Sequence, residues 1–206
     1  MPLPKLSIPD YECVLPRGQK VTYRPFLVRE EKLLYLAMET QDNKEMIKAV
    51  KEIIKNCTNL KKLDDLATFD IEYLFLKIRG KSVGEVSEFK ITCPDDEKTQ
   101  VDVEVNLDEV KVQIPKEHTT ILKVTDEVTI TMKYPSLDVF VKNNLVDNPG
   151  VDDLFKLAAS CTESIAEGED VYEGKDSTTK ELVEFYENMN SQQFALVQKF
   201  FETMPK

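Results

Sequence analysis

Tryptophan is absent from this 206-residue chain and histidine occurs once, at His118. One imidazole leaves no material for a His-rich metal centre and argues against a His-dependent catalytic triad. Glycine is scarce, at six residues, and the phosphate-cradling P-loop and GxGxxG patterns do not occur; neither does HExxH, and no serine reads as a GxSxG nucleophile elbow. No stretch approaches the roughly 18 to 20 apolar residues that cross a bilayer. The amino terminus, Met1 to Glu12, sets prolines and charges where a secretory signal needs an apolar run. These absences imply a chain made and kept in a reducing cytoplasm. The four cysteines, Cys13, Cys57, Cys93 and Cys161, lie far apart and form no CxxC pair, so they read as small buried hydrophobes and no metal or other cofactor is expected. Positive charge is also short: 27 Lys and Arg against 38 Asp and Glu leave a net charge of -11. That balance argues against nucleic acid and anionic membrane as partners, since both need clustered cations.

What the chain does contain is an ordinary globular composition, 41% hydrophobic and 32% charged, long enough for one elaborated domain or two small ones. The charge is divided. Residues 1–84 carry 15 basic and 12 acidic side chains, a net of +3, and residues 85–206 carry 12 and 26, a net of -14. This division suits docking of the two halves on different partners, or a simple acidic wet surface.

Tyr11 to Leu15 and Lys20 to Arg24 flank a Pro16-Arg17-Gly18-Gln19 turn and predict a hairpin ended by Pro25. Val28 to Thr40 predicts a helix with Glu30 and Glu31 in its first turn. In the next, Asn43 to Cys57, Met46, Val50, Ile53 and Cys57 form one stripe and Lys44, Lys48, Lys51 and Lys55 another. Residues 60–66 suit a turn or short helix. Thr68 to Ile78 predicts a helix capped by Thr68 or Asp70, apolar on most sides, with Gly80 and Gly84 bracketing its end. From residue 85 the period changes to two: Phe89/Ile91/Cys93, Val101/Val103/Val105/Leu107, Val110/Val112/Ile114 and Val128/Ile130/Met132/Tyr134 predict an antiparallel meander with one dry face. After Pro135 helices return. Ser136 caps residues 137–142, Asn148-Pro149-Gly150 marks a loop, and Val151 to Ile165 is helical. Residues 167–176 read as an acidic mobile loop, Ser177 or Thr178 caps 180–188, and Ser191 caps 192–203. The predicted class is α+β: a hairpin and helices over 1–84, an antiparallel β insertion over 85–134, and helices over 135–206 packing back on the amino-terminal part.

No constellation points to catalysis. His118 follows Pro115-Lys116-Glu117 in an expected surface turn without a placed partner, and Asp64/Asp65 and Asp152/Asp153 sit where helix ends explain them. The candidate site residues are therefore contact residues. Tyr23, Arg24 and Phe26 either lock a core or present an anchor to a partner. Lys48, Lys51 and Lys55 either grip an acidic partner or form the wet side of their helix. Phe200 and Phe201 dock the last helix on the chain's own body or on another subunit.

Several stretches together carry a resemblance: Leu15-Pro16-Arg17-Gly18, Val21 through Lys32, Ala49 through Cys57, Phe69 through Leu76, Ile78 through Glu85, and Gln198 through Pro205. In these the chain resembles the T4-like bacteriophage baseplate hub proteins, most strongly over residues 10–94. The resemblance implies a viral protein of a contractile-tailed phage, a structural subunit or assembly factor of the baseplate hub, without enzymatic residues or cofactor. Its implied partners are other hub or tail proteins, with self-association open, and its implied place is the host cytoplasm during assembly and the virion baseplate. A transient chaperone masking a hub or tape-measure segment is the alternative. Relatives often carry a second cysteine soon after the position of Cys93, as in a zinc ribbon; here Asp95 and Asp96 follow Pro94.

Overall fold

The computed structural model describes residues 6–144 and 151–206. Its seven helices and three small antiparallel sheets make an α+β fold that divides into two compact units. The first comprises residues up to Leu63 and Phe69–Val112; the second comprises Asp64–Thr68 and Gln113–Lys206. The predicted loop at Asn148-Pro149-Gly150 lies outside the described residues.

In the first unit, β1 (Tyr11–Val14) and β2 (Lys20–Tyr23) form the expected hairpin. The Leu15 carbonyl accepts from the Gly18 N–H at 2.7 Å, and Gly18 takes φ +89°, open to glycine without a Cβ penalty. Helices α1 (Val28–Thr40) and α2 (Asn43–Cys57) have the predicted limits. The Asp42 side chain accepts from the Lys44 N–H and starts α2, and Ala49, Ile53, Ile54 and Cys57 are its buried positions. Residues 60–66 form bends and turns rather than a helix. Helix α3 (Thr68–Val83) runs a turn beyond the expected Ile78, carrying Gly80 inside it, and stops at Gly84, whose φ is +132°. Its Ile71, Leu74 and Ile78 are buried, as its apolar circumference implied.

The strand-period region does not form one meander. β3 (Val86–Thr92) and β4 (Gln100–Asn106) pair only with each other, as an isolated two-stranded sheet. Residues 110–114 alternate in sequence yet form no strand. The Gln113 backbone instead exchanges hydrogen bonds with Lys206, at 2.8 and 3.2 Å. Alternation without a neighbouring strand to complete a ladder does not make a sheet.

The second unit holds a four-stranded antiparallel sheet in sequence order: β5 (Ile121–Lys123), β6 (Val128–Met132), β7 (Thr162–Glu167) and β8 (Asp170–Glu173). Two expectations fall here. The predicted helix over 151–165 ends early: α5 is Val151–Ser160, and Thr162 begins β7, because the backbone from Thr162 to Glu167 pairs with β6. The predicted mobile loop at 167–176 is largely β7, a tight turn and β8. Gly168 takes φ +61° at the first position of that two-residue turn, the conformation a type II′ hairpin demands. Helices α4 (Leu137–Asn144), α6 (Thr179–Glu187) and α7 (Ser191–Glu202) complete the unit. Thr178 and Glu181 form a capping box on α6; on α7 the cap is Asn190 with Gln193, one residue before the expected Ser191. Thr68, considered as a cap for α3, instead donates to the Pro135 carbonyl at 3.1 Å. The core combines Leu122, Ile130 and Met132 of the sheet with Ala158, Tyr186 and Phe200 of the helices.

Gly174 follows β8, where its N–H donates to the Glu163 carbonyl at 2.7 Å. A Cβ there falls 2.4 Å from the Thr162 carbonyl oxygen and 3.1 Å from that of Glu163. Backbone cannot yield as a flexible side chain does. Gly174→Ala is therefore expected to destabilise the second unit by about 1–3 kcal/mol or more, measured by denaturant unfolding. Hydrogen exchange should speed first in β7 and β8; unchanged protection there would contradict so close an approach.

Candidate functional site

The cluster singled out around Tyr23 is a lock within the first unit. Tyr23 is buried, stacked on Tyr11 with ring centroids 5.7 Å apart, and bridges to Thr58 after α2. The Arg24 guanidinium donates to Glu30 Oε1 at 3.0 Å and to the carbonyls of Pro25 and Asn56 at 2.9 and 3.0 Å. Glu30 is 1% exposed. It also receives Arg29 Nε at 2.7 Å and, on Oε2, the Leu27 N–H at 2.8 Å, which starts α1. Burial pushes its carboxyl upward, but the hydrogen bonds from Arg24, Arg29 and Leu27 outweigh it and hold the pKa down at about 2. Half-buried Phe26 gives its N–H to Ser82 Oγ at 2.9 Å.

Ser82 corrects one sequence reading. Gly80-Lys81-Ser82-Val83-Gly84 has the spelling of a GxSxG elbow, but it lies at the end of α3 rather than on a strand-to-helix turn. Its hydroxyl donates to the Ile78 carbonyl at 2.6 Å and accepts from Phe26. Both roles are structural.

The lysine stripe of α2 stands largely in solvent. Lys48 and Lys55 are exposed and Lys51 is half-buried; Lys48 pairs with Glu45 at 2.5 Å. Side chains in the same unit leave apolar surface open on α1, where Val28, Tyr35, Leu36 and Met38 are all exposed.

Phe200 and Phe201 belong to the second unit. Phe200 is 1% exposed, in the core, while Phe201 is half-buried against it with ring centroids 5.1 Å apart. The last helix thus docks on its own unit. Alongside it lies His118, which closes the expected turn with its N–H on the Pro115 carbonyl at 3.1 Å but is half-buried and has placed partners. Its ring stacks on Tyr134 and packs on Phe200, at 5.5 and 5.3 Å. Its nitrogens meet Thr203 Oγ1 at 3.0 Å and the Tyr134 hydroxyl at 2.9 Å. Thr203 spends its own proton on the Lys199 carbonyl at 2.7 Å. The network therefore assigns the His118 proton to Nδ1, leaving Nε2 to accept from Tyr134. Burial lowers the His118 pKa below its ordinary 6.5, favouring this neutral ring.

A cavity of about 290 Å³ opens in the second unit, walled by Val128, Ile165, Tyr172, Leu182 and Phe185. Its polar lining includes Glu181, whose carboxylate is already bonded to the Thr178 N–H and hydroxyl, each at 2.7 Å. Among the described residues no group of three or more His, Cys, Asp or Glu could hold a metal ion. Cys57 and Cys161 are buried as expected, with thiols pushed up by burial to about 11 and about 12; Cys13 and Cys93 are only partly buried. No described helix is long and apolar enough to cross a membrane.

A family model described as T4 bacteriophage base plate protein matches residues 8–206. The chain therefore belongs to the T4 bacteriophage base plate protein family, and a structural or assembly role in a phage baseplate follows, among other tail proteins. No curated protein and no solved structure matches it.

Proposed function

We propose that this protein is a non-enzymatic structural subunit of the baseplate hub that works through protein–protein contacts. The observation that supports it most directly is the open apolar surface of α1, with Tyr35, Leu36 and Met38 exposed. A subunit retained in an assembly covers such a face permanently. Contact through Lys48, Lys51 and Lys55 of α2, and through the parts of Phe26 and Phe201 left open, belongs to the same proposal. Tyr23, Arg24 and Phe200 support it from inside, by holding the surfaces in shape. Assembly takes place in the host cytoplasm, and the finished subunit stays in the virion.

Quantitative mass spectrometry of purified mature virions, alongside baseplate intermediates from infected cells, tests this reading. Equal stoichiometry relative to the other hub proteins in both samples is the expected result. Presence in intermediates and loss from virions would replace the subunit with a released chaperone. Absence from both would remove the hub role altogether.

A further inference from the structure

Among the described residues the β3–β4 hairpin is a two-stranded sheet of its own. At its base it is pinned: the Leu107 N–H donates to the Glu85 carbonyl at 2.7 Å. Lys77 and Lys81 of α3 reach Asp108 at 3.2 and 3.1 Å, and Lys81 also pairs with Glu85. Beyond that base most of its positions are exposed. The register stacks Phe89 against Val103 and Ile91 against Val101 on one face. Phe89, Ile91 and Val101 remain 45%, 47% and 48% exposed. Each strand pairs only with the other, so both outer edges carry unpaired backbone groups. A two-stranded hairpin with an uncovered apolar face is marginal in water, and such ribbons gain stability from a third strand or a packed layer.

The charge around this face defines what can cover it. Residues 86–106 hold six carboxylates (Glu88, Asp95, Asp96, Glu97, Asp102 and Glu104) and two lysines (Lys90 and Lys98), a net of -4. Glu88 and Glu104 stand directly opposite one another on the polar face, a like-charge pair that costs stability until a cation lies near. Lys90 answers only Asp102, at 3.7 Å. Two such hairpins brought together would set acid against acid, in a chain of net charge -11.

We propose that the β3–β4 hairpin is a docking arm for a different tail protein, one that presents an apolar strip flanked by lysine or arginine. The inference rests on the subunit reading above and names the surface and the chemistry of its partner. The apolar face supplies the contact area, and the carboxylates of the tip and polar face select a basic rim and reject a second copy.

Photoreactive benzoylphenylalanine placed at position 89, 101 or 88 during phage infection tests it in an otherwise intact chain. Positions 89 and 101 are expected to cross-link to another tail protein, at an apolar segment with neighbouring Lys or Arg, and position 88 far less. Phe89→Ser is expected to reduce incorporation into baseplates about tenfold, with raised salt weakening the wild-type association further. Cross-links to this chain alone, to a segment without basic residues, or with equal yield from 88 and 89 would overturn the proposal. So would no cross-link at all. Should Phe89→Ser not fold, the cross-linking pattern still decides. A chain that is stoichiometric in virions but gives no hairpin cross-link refutes the docking arm and leaves the subunit reading standing.

Discussion

Arg24→Ala is expected to cost about 3–5 kcal/mol of the first unit's stability, the usual consequence of stripping one partner from a buried ion pair. The loss has three parts. Glu30 keeps only Arg29, whose side chain is 69% exposed, and the Leu27 N–H. The carbonyls of Pro25 and Asn56 lose a charged donor. The link between β2, the start of α1 and the end of α2 is cut at one point. Denaturant unfolding measures the cost, and Arg24→Met with Glu30→Leu should recover most of it, because an apolar pair leaves no buried charge. Recovery no better than Arg24→Ala alone would mean that the carbonyl contacts, not the ion pair, carry the energy. The pair also has a pH signature. Glu30 titrates at about 2 in the fold against an ordinary 4.5, so its contribution is whole above about 4.5 and is lost as pH falls toward 2. That contribution is roughly 3 kcal/mol. Glu30→Gln should flatten the acid limb of stability against pH.

Phe200→Ala is expected to cost the second unit about 3–5 kcal/mol. Phe200 is 1% exposed and contacts three aromatic neighbours, with centroids at 5.3 Å to His118, 5.9 Å to Tyr134 and 5.1 Å to Phe201. Truncation opens a cavity among rings that are themselves tied by hydrogen bonds, so collapse onto the space is limited. With no tryptophan in the chain, near-ultraviolet circular dichroism reports the tyrosines directly, and the Tyr134 environment should change with the loss of stability. A variant as stable as wild type would show that α7 does not close this core.

These two results bear on how contacts in the assembly are to be mapped. Arg24 and Phe200 look from sequence like anchors for a partner, yet a failure of either variant to assemble would report unfolding rather than a lost interface. Lys48→Glu and Lys55→Glu change exposed positions of α2 and leave stability within about 0.5 kcal/mol, so they read the surface itself.

The elements legible in the sequence are those whose signal is local. The limits of α1 and α2 follow from helix formers, a capping Asp42 and a 3.6-residue stripe, none of which needs a distant partner. The first hairpin follows from Gly18, and the α+β class from the change of period at residue 85. Strand partnership was not legible. The same alternation describes Val110, Val112 and Ile114, which pair with nothing as a strand, and Val128, Ile130 and Met132, which lie mid-sheet. Thr162 to Ile165 reads as the tail of a helix because its apolar spacing fits one; pairing with β6 makes it a strand. A ladder needs backbone groups from another segment, and their arrival is a tertiary event.

The candidate surfaces divide in the same way. Composition and pattern alone determined that the chain is acidic, that α2 carries a lysine face, and that the amino-terminal cluster and the terminal phenylalanines matter. Only the tertiary structure decided in which sense they matter. It spent Arg24 on buried Glu30, sank Phe200 into a core beside His118, and left Phe89, Ile91 and Val101 about half exposed on a two-stranded ribbon. Local periodicity records that a residue has an apolar side. Whether the chain itself covers that side depends on which segments fold against it, and at Phe89, Ile91 and Val101 about half of each residue stays open.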